Sequence, residues 1–169
     1  MQEPARNRDG ALLSEMLAEA QPDQARHWNN LGLFLRDEGE QLEIDAYRNK
    51  TAKPDPAVLV DLYGRSYRAY QRALELNPED PQLINDLALM MHYHLGPDLV
   101  QAEAMYRQAL DLVAQRLAAS GISEDDRLRF AQTKMDIEDN LKALIEPEKE
   151  VDDETAQATA AAAKPTEKP

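Results

Sequence analysis

An all-α fold is predicted for this 169-residue chain, and three observations predict it. Ala, Leu, Glu, Gln and Arg dominate the composition, and these are helix-forming residues. Apolar side chains recur at helical spacing, and no run of β-branched residues alternates as a strand would require. Pro, Gly and Asn, followed by a capping Asp or Ser, fall about one helix length apart.

Taken in order, Leu12, Leu13, Met16, Leu17 and Ala20 share one face of a short first helix, with Asp9 or Ser14 as its cap. Pro22 stops it, since proline disfavours helical geometry in the residue before it. Asp23 then caps a second helix over about 24–37, which Gly39 is expected to end; Trp28, Leu31, Gly32 and Leu35 form its apolar face. The segment 40–55 is the least regular, with Leu42, Ile44 and Tyr47 able to form a single helical turn. Lys53-Pro54-Asp55-Pro56 reads as a stop and a start: Asp55 caps, Pro56 takes the first helical position, and a long helix runs to about Leu76. Asn77-Pro78-Glu79-Asp80-Pro81 is a tight helix–helix turn, and a fourth helix runs to about Leu95. Gly96-Pro97-Asp98 breaks that helix and caps a fifth, about 99–119. After Ser120-Gly121, Ser123 opens a sixth helix with Asp126 in place of the usual Glu of a capping box. Phe130, Ile137, Leu141 and Leu144 give it an apolar stripe that runs down to Ile145.

Residues 147–169 differ in character. They hold six acids, three Lys, an Ala tract and Val151 as the only large apolar side chain. Such a segment cannot bury enough surface to offset an ordering entropy of about 1–2 kcal/mol per residue, so it is expected to be a disordered acidic tail, dispensable for folding. The expected organisation is therefore an N-terminal helix and lead-in over 1–23, a helical domain over 24–146 with an insert at 40–55 and a capping helix at 124–146, and the tail.

Composition excludes several functions. With 32 Asp+Glu against 19 Lys+Arg, the formal charge is −13, which repels phosphate backbones and argues against nucleic-acid binding. The absence of Cys removes disulfide frameworks, thiolate zinc sites and Cys nucleophiles. No stretch approaches 18 apolar residues, so no membrane span is expected. Residues 1–10 are polar, so no signal peptide is expected at this end; the cytoplasm is the expected compartment, with a periplasm the alternative if a leader has been removed.

Two segments repeat each other. Tyr67-Arg-Ala-Tyr70-Gln-Arg-Ala73-Leu-Glu-Leu and Ala102-Glu-Ala-Met-Tyr106-Arg-Gln-Ala109-Leu-Asp-Leu both contain Tyr-x-x-Ala-Leu-acid-Leu. Upstream of each stands a bulky residue, two polar residues, a Leu and a very small residue: Trp28-Asn-Asn-Leu31-Gly32 and Ile84-Asn-Asp-Leu87-Ala88. The pattern resembles the tetratricopeptide repeat family over about residues 25–112, with Trp28, Leu31, Gly32, Tyr70 and Pro78 in one unit and Leu87, Ala88, Ala102, Tyr106 and Ala109 in the next. Leu35, Ile84 and Met91 depart from its aromatic positions, and Ser66 stands where Ala is usual. The resemblance implies antiparallel helix hairpins in which Gly32 faces Ser66 and Ala88 faces Ala102. Trp28 and Pro78 lie 50 residues apart where a unit needs about 28, so about 22 residues are inserted, at an entropic cost of about 2 kcal/mol. Two units are fewer than a stack usually needs, so the first and last helices are expected to cover its ends.

The resemblance also implies that the first helix of each unit lines a concave groove. Arg26, Asn30, Leu33 and Asp37 then share one face, and Gln82, Asp86, Leu89 and Tyr93 repeat the same spacing on the next unit. In relatives an Asn at the place of Asn30 grips a peptide backbone, whereas the cations that hold a carboxylate tail are missing here apart from Arg26. The expected ligand is a protein or peptide of basic character, bound in this groove or on the insert. A merely solvated polar face is the competing reading of the groove. Arg65, Arg68 and Arg72 read as an outward stripe tied down by Asp61–Arg65 and Arg72–Glu75 pairs. His92 and His94, two apart on a helix, point to opposite sides. No metal-ligating or nucleotide-binding motif and no paired catalytic groups occur, so neither a metal, a cofactor nor an enzymatic activity is expected. The expected function is that of a non-catalytic protein-interaction module, adaptor or scaffold; the alternative is a structural subunit that forms homo-oligomers through its terminal helices.

Overall fold

The computed structural model describes residues 4–96 and 98–146. Pro97 and the expected tail lie outside the described residues. Six helices follow one another: α1 (Pro4–Ala20), α2 (Ala25–Asn49), α3 (Pro56–Leu76), α4 (Pro81–Tyr93), α5 (Leu99–Ala118) and α6 (Glu124–Ile145). The all-α expectation holds. Each helix packs on the next, and α4 also meets α6, as in stacked tetratricopeptide-like hairpins.

The capping chemistry sets most of these boundaries. The Asp55 carboxylate accepts from the Ala57 N–H at 2.9 Å, that of Asp80 from Gln82 at 3.0 Å, and that of Asp98 from Gln101 at 3.1 Å. At α6 the Ser123 hydroxyl accepts from the Asp126 N–H and donates to its carboxylate, so Ser123 caps the helix, while the Asp126 carboxylate bonds the hydroxyl and not the Ser123 N–H that a full capping box would engage.

The close helix contacts are those the repeat pattern implied. Ser66 donates to the Gly32 carbonyl at 2.7 Å, so the hydroxyl that replaces Ala is satisfied within the interface. The Tyr70 ring lies against Gly32, and Ala88 and Ala102 are both fully buried in one cluster with Tyr106. Tyr63, Tyr70, Leu87 and Met90 join the two hairpins into one stack. The expected Arg72–Glu75 and Asp61–Arg65 pairs are present, and Arg65 also reaches Glu15 on α1 at 2.9 Å.

Three expectations fail. Asp23 does not cap the second helix; Gln24 stands at its N-cap, with no side-chain capping bond. The second helix does not end at Gly39. It continues through residues 40–49 and stops at Lys50, which takes the left-handed conformation. Gly39 is buried mid-helix because the Tyr63 ring occupies the space a side chain would need; a Cβ there would lie 2.6 Å from a ring carbon. The expected insert is therefore mostly a lengthening of the first hairpin, with a short connection over 50–55.

The first helix also presents a different face. It starts at Pro4 and packs Asn7, Ala11, Ser14 and Ala18 toward α2, with Gly10 against the Phe34 ring. Asp9 and Ser14 lie inside the helix and cap nothing. Leu12, Leu13 and Met16 are 60%, 58% and 60% exposed. Small residues win because they let two helix backbones approach closely, where large ones would hold them apart.

Candidate binding pocket

The lengthened hairpin projects beside the end of α4, and a pocket of about 700 Å³ opens between them. Three elements form it. Glu40, Glu43 and Ile44 come from the last turns of α2, Pro56, Leu59, Val60 and Tyr63 from the start of α3, and Leu89, Tyr93 and His94 from the end of α4.

A polar chain fixes this geometry. Arg36, mostly buried, pairs with Asp37 at 2.9 Å and reaches Glu40 at 3.5 Å. Glu40 in turn meets His94 Nε2 at 3.2 Å. The His94 ring stacks on Tyr63 with centroids 4.0 Å apart, and the Tyr63 hydroxyl donates to Glu43. The contacts thus hold α4's end to both helices of the long hairpin.

The electrostatics follow from these contacts. Burial alone would raise the Glu40 pKa, but the His94 hydrogen bond and the Arg36 charge outweigh it and hold the group below the usual carboxylate range. Burial and the bond to Glu43 push the Tyr63 hydroxyl far up, so it stays a donor. Glu40 and Glu43 thus stand beside an apolar floor of Ile44, Leu59, Val60 and Leu89.

The groove residues expected from the sequence part company here. Leu89 and the 54% exposed Tyr93 line the pocket. Arg26 and Asn30 are exposed but sit near the start of α2, ten or more residues before Glu40, or about 15 Å along the helix. Leu33 packs against the cluster that joins the hairpins. Asp37 is engaged by Arg36. Asp86, expected to face a ligand, is only 8% exposed, and Gln82 is committed to its carboxylate at 3.0 Å. Burial is the main influence on Asp86; it outweighs Arg36 and Gln82 and pushes the carboxyl up to about 6. A single-helix projection places Asp86 outward, but it is buried on α4, where Arg36 of α2 and Tyr70 of α3 feel its charge. His92 and His94 do diverge: His92 stands beside Tyr106 on α5, while His94 turns toward Tyr63.

Sequence reasoning did not find Arg36, Glu43, Tyr63 or His94 as neighbours. Gly39 was the available signal, a glycine inside a helical period that marks a close approach by a distant ring.

No family model matches the chain. No solved structure matches it either. Among the described residues no helix is long and apolar enough to cross a membrane. Among curated proteins the chain is similar to Photosystem I assembly protein Ycf3 of Sorghum bicolor, with 32% identity over 119 residues, 66% of this chain and 64% of the relative. The chain thus spans a little under two thirds of the length of the curated relative it matches.

Proposed function

We propose that this protein is a non-catalytic, tetratricopeptide-like interaction module that receives a segment of another protein on its concave face and serves in the assembly of a multi-subunit complex. The pocket between the long hairpin and α4 carries this reading. It is open, largely apolar and framed by fixed polar groups, the build of a site that anchors a few side chains. Burying one Leu- or Phe-sized side chain there is worth about 1.5–3 kcal/mol, enough to anchor a segment whose other contacts are weak. The role in assembly comes from the relative's name, Photosystem I assembly protein, and is a proposal for this chain.

Photocross-linking tests the site. A benzophenone side chain placed at position 93, with position 135 on the exposed side of α6 as control, is irradiated in extract from the native cell. Linkage from position 93 to one defined segment of a partner, mapped by mass spectrometry and abolished by Leu89→Asp, is the expected result. The same products from both positions, or none from position 93, contradict the reading.

A further inference from the structure

The pocket's two walls differ in chemistry, and that difference points to its occupant. One wall is apolar, from Ile44, Leu59, Val60 and Leu89; the other carries Glu40 and Glu43, and among the described residues no Lys or Arg lines the space. Each carboxylate commits one oxygen to the protein. Oε1 of Glu40 meets both His94 and Arg36, and Oε2 of Glu43 accepts from Tyr63. Among the described residues, the second oxygen of each has no partner within hydrogen-bonding or ion-pairing distance.

The surroundings strengthen the bias. Residues 37–49 of α2 carry five acids, Asp37, Glu38, Glu40, Glu43 and Asp45, against one cation, Arg48; Lys50 and Lys53 follow in the connection outside the pocket lining, and Arg36 is mostly buried and already paired. The exposed Tyr93 ring offers an aromatic face that attracts cations. An anionic ligand would meet repulsion here, and a wholly apolar one would cover charged oxygens without replacing their water.

Resting on the interaction-module reading, we propose that the pocket takes a polypeptide segment from a partner protein in which a bulky apolar residue stands next to Lys or Arg. The apolar side chain enters between Leu59, Val60 and Leu89, and the cationic head reaches the free oxygens of Glu40 and Glu43 across the Tyr93 ring.

A random twelve-residue peptide display library tests this against the full chain, with Glu43→Gln and Leu89→Asp variants as counter-selections. Glu43→Gln keeps an oxygen that can accept from Tyr63 while removing the charge, so it separates charge recognition from loss of structure; thermal midpoints of both variants are checked first. Enriched sequences are expected to carry Leu, Ile, Met or Phe within two residues of Lys or Arg, at least fivefold above the starting library. A synthetic representative, read by fluorescence anisotropy, is expected to weaken at least tenfold when its Lys and Arg become Glu, and at least threefold with Glu43→Gln. Enrichment of acidic or uncharged sequences, no enrichment, or affinities indifferent to Glu43→Gln would overturn the inference. An acidic segment captured from position 93 by photocross-linking would sink this inference and leave the interaction module standing. Absence of any capture from position 93 would remove the module reading itself.

Discussion

Gly32→Leu is expected to lower the thermal midpoint by about 4–16 °C. A Cβ at position 32 would lie 2.8–2.9 Å from three atoms of the Tyr70 ring. That ring is fully buried at the centre of the stack and has no free space to enter. A Leu must therefore force α2 and α3 apart, which also breaks the Ser66 bond to the Gly32 carbonyl. Overpacking of this kind costs about 1–3 kcal/mol and the lost buried hydrogen bond about 1 kcal/mol more. For a chain of this size each kcal/mol is worth about 2–4 °C. Gly32→Ala sharpens the result: Ala is favoured over Gly in a helix by about 1 kcal/mol, so any destabilisation reports the clash with Tyr70 directly. Differential scanning calorimetry of the three proteins decides the matter. A Gly32→Leu protein that melts like the wild type would mean that α2 and α3 do not meet at this point.

Asp86→Asn is expected to change the pH dependence of stability. Burial raises the carboxyl's pKa from the usual 3.8 to about 6 in the folded chain. Between those two values the folded state holds a proton that the unfolded state has released. The associated stability is complete below about pH 4 and is lost as pH rises through 6, leaving a cost of up to about 3 kcal/mol at neutral pH. Asn keeps an oxygen for Gln82 and cannot ionise. The variant should thus be more stable than the wild type by up to about 3 kcal/mol at pH 7.5, with the gap closing toward pH 4.5. Glu40 works in the opposite direction. Its lowered pKa contributes stability that is present above the usual carboxylate range and fades as pH falls, but this contribution is common to both proteins and cancels in their difference. Urea denaturation across pH 4.5–7.5 measures it. A gap that does not vary with pH, or an Asn variant weaker at pH 7.5, would show that the Arg36–Asp86 attraction outweighs burial.

Features written in local chemistry were legible in the sequence. Asp55-Pro56, Asp80-Pro81, Asp98 and Ser123 announce four helix starts because a cap needs only its own next few residues. The Gly32–Ser66 and Ala88–Ala102 approaches followed from small residues in a repeated pattern. Features made by distant partners were not legible. Gly39 resembles a helix end until Tyr63, 24 residues later, is seen to fill its place. The first helix shows a bulky stripe, Leu12, Leu13 and Met16, whereas contact with α2 selects the small one. Asp86 passes for a surface residue on its own helix, whereas in the fold it is buried near Arg36 and Tyr70. Leu89 and Tyr93 were found; the acidic wall opposite them was not, because it exists only when 40–49 continue as helix.

That continuation sets Leu89 and Tyr93 of the expected groove opposite Glu40, Glu43 and Ile44 of the expected insert, while the rest of the groove lies elsewhere, and the central claim is that both walls act together. The direct test compares Ile44→Asp on the hairpin wall and Leu89→Asp on the α4 wall, with Val100→Asp on the exposed start of α5 as control, in binding to the partner captured from position 93. Ile44→Asp and Leu89→Asp are each predicted to weaken binding by about 2 kcal/mol or more, roughly thirtyfold, while Val100→Asp leaves it unchanged. Binding lost from one wall and fully retained at the other would contradict a shared pocket.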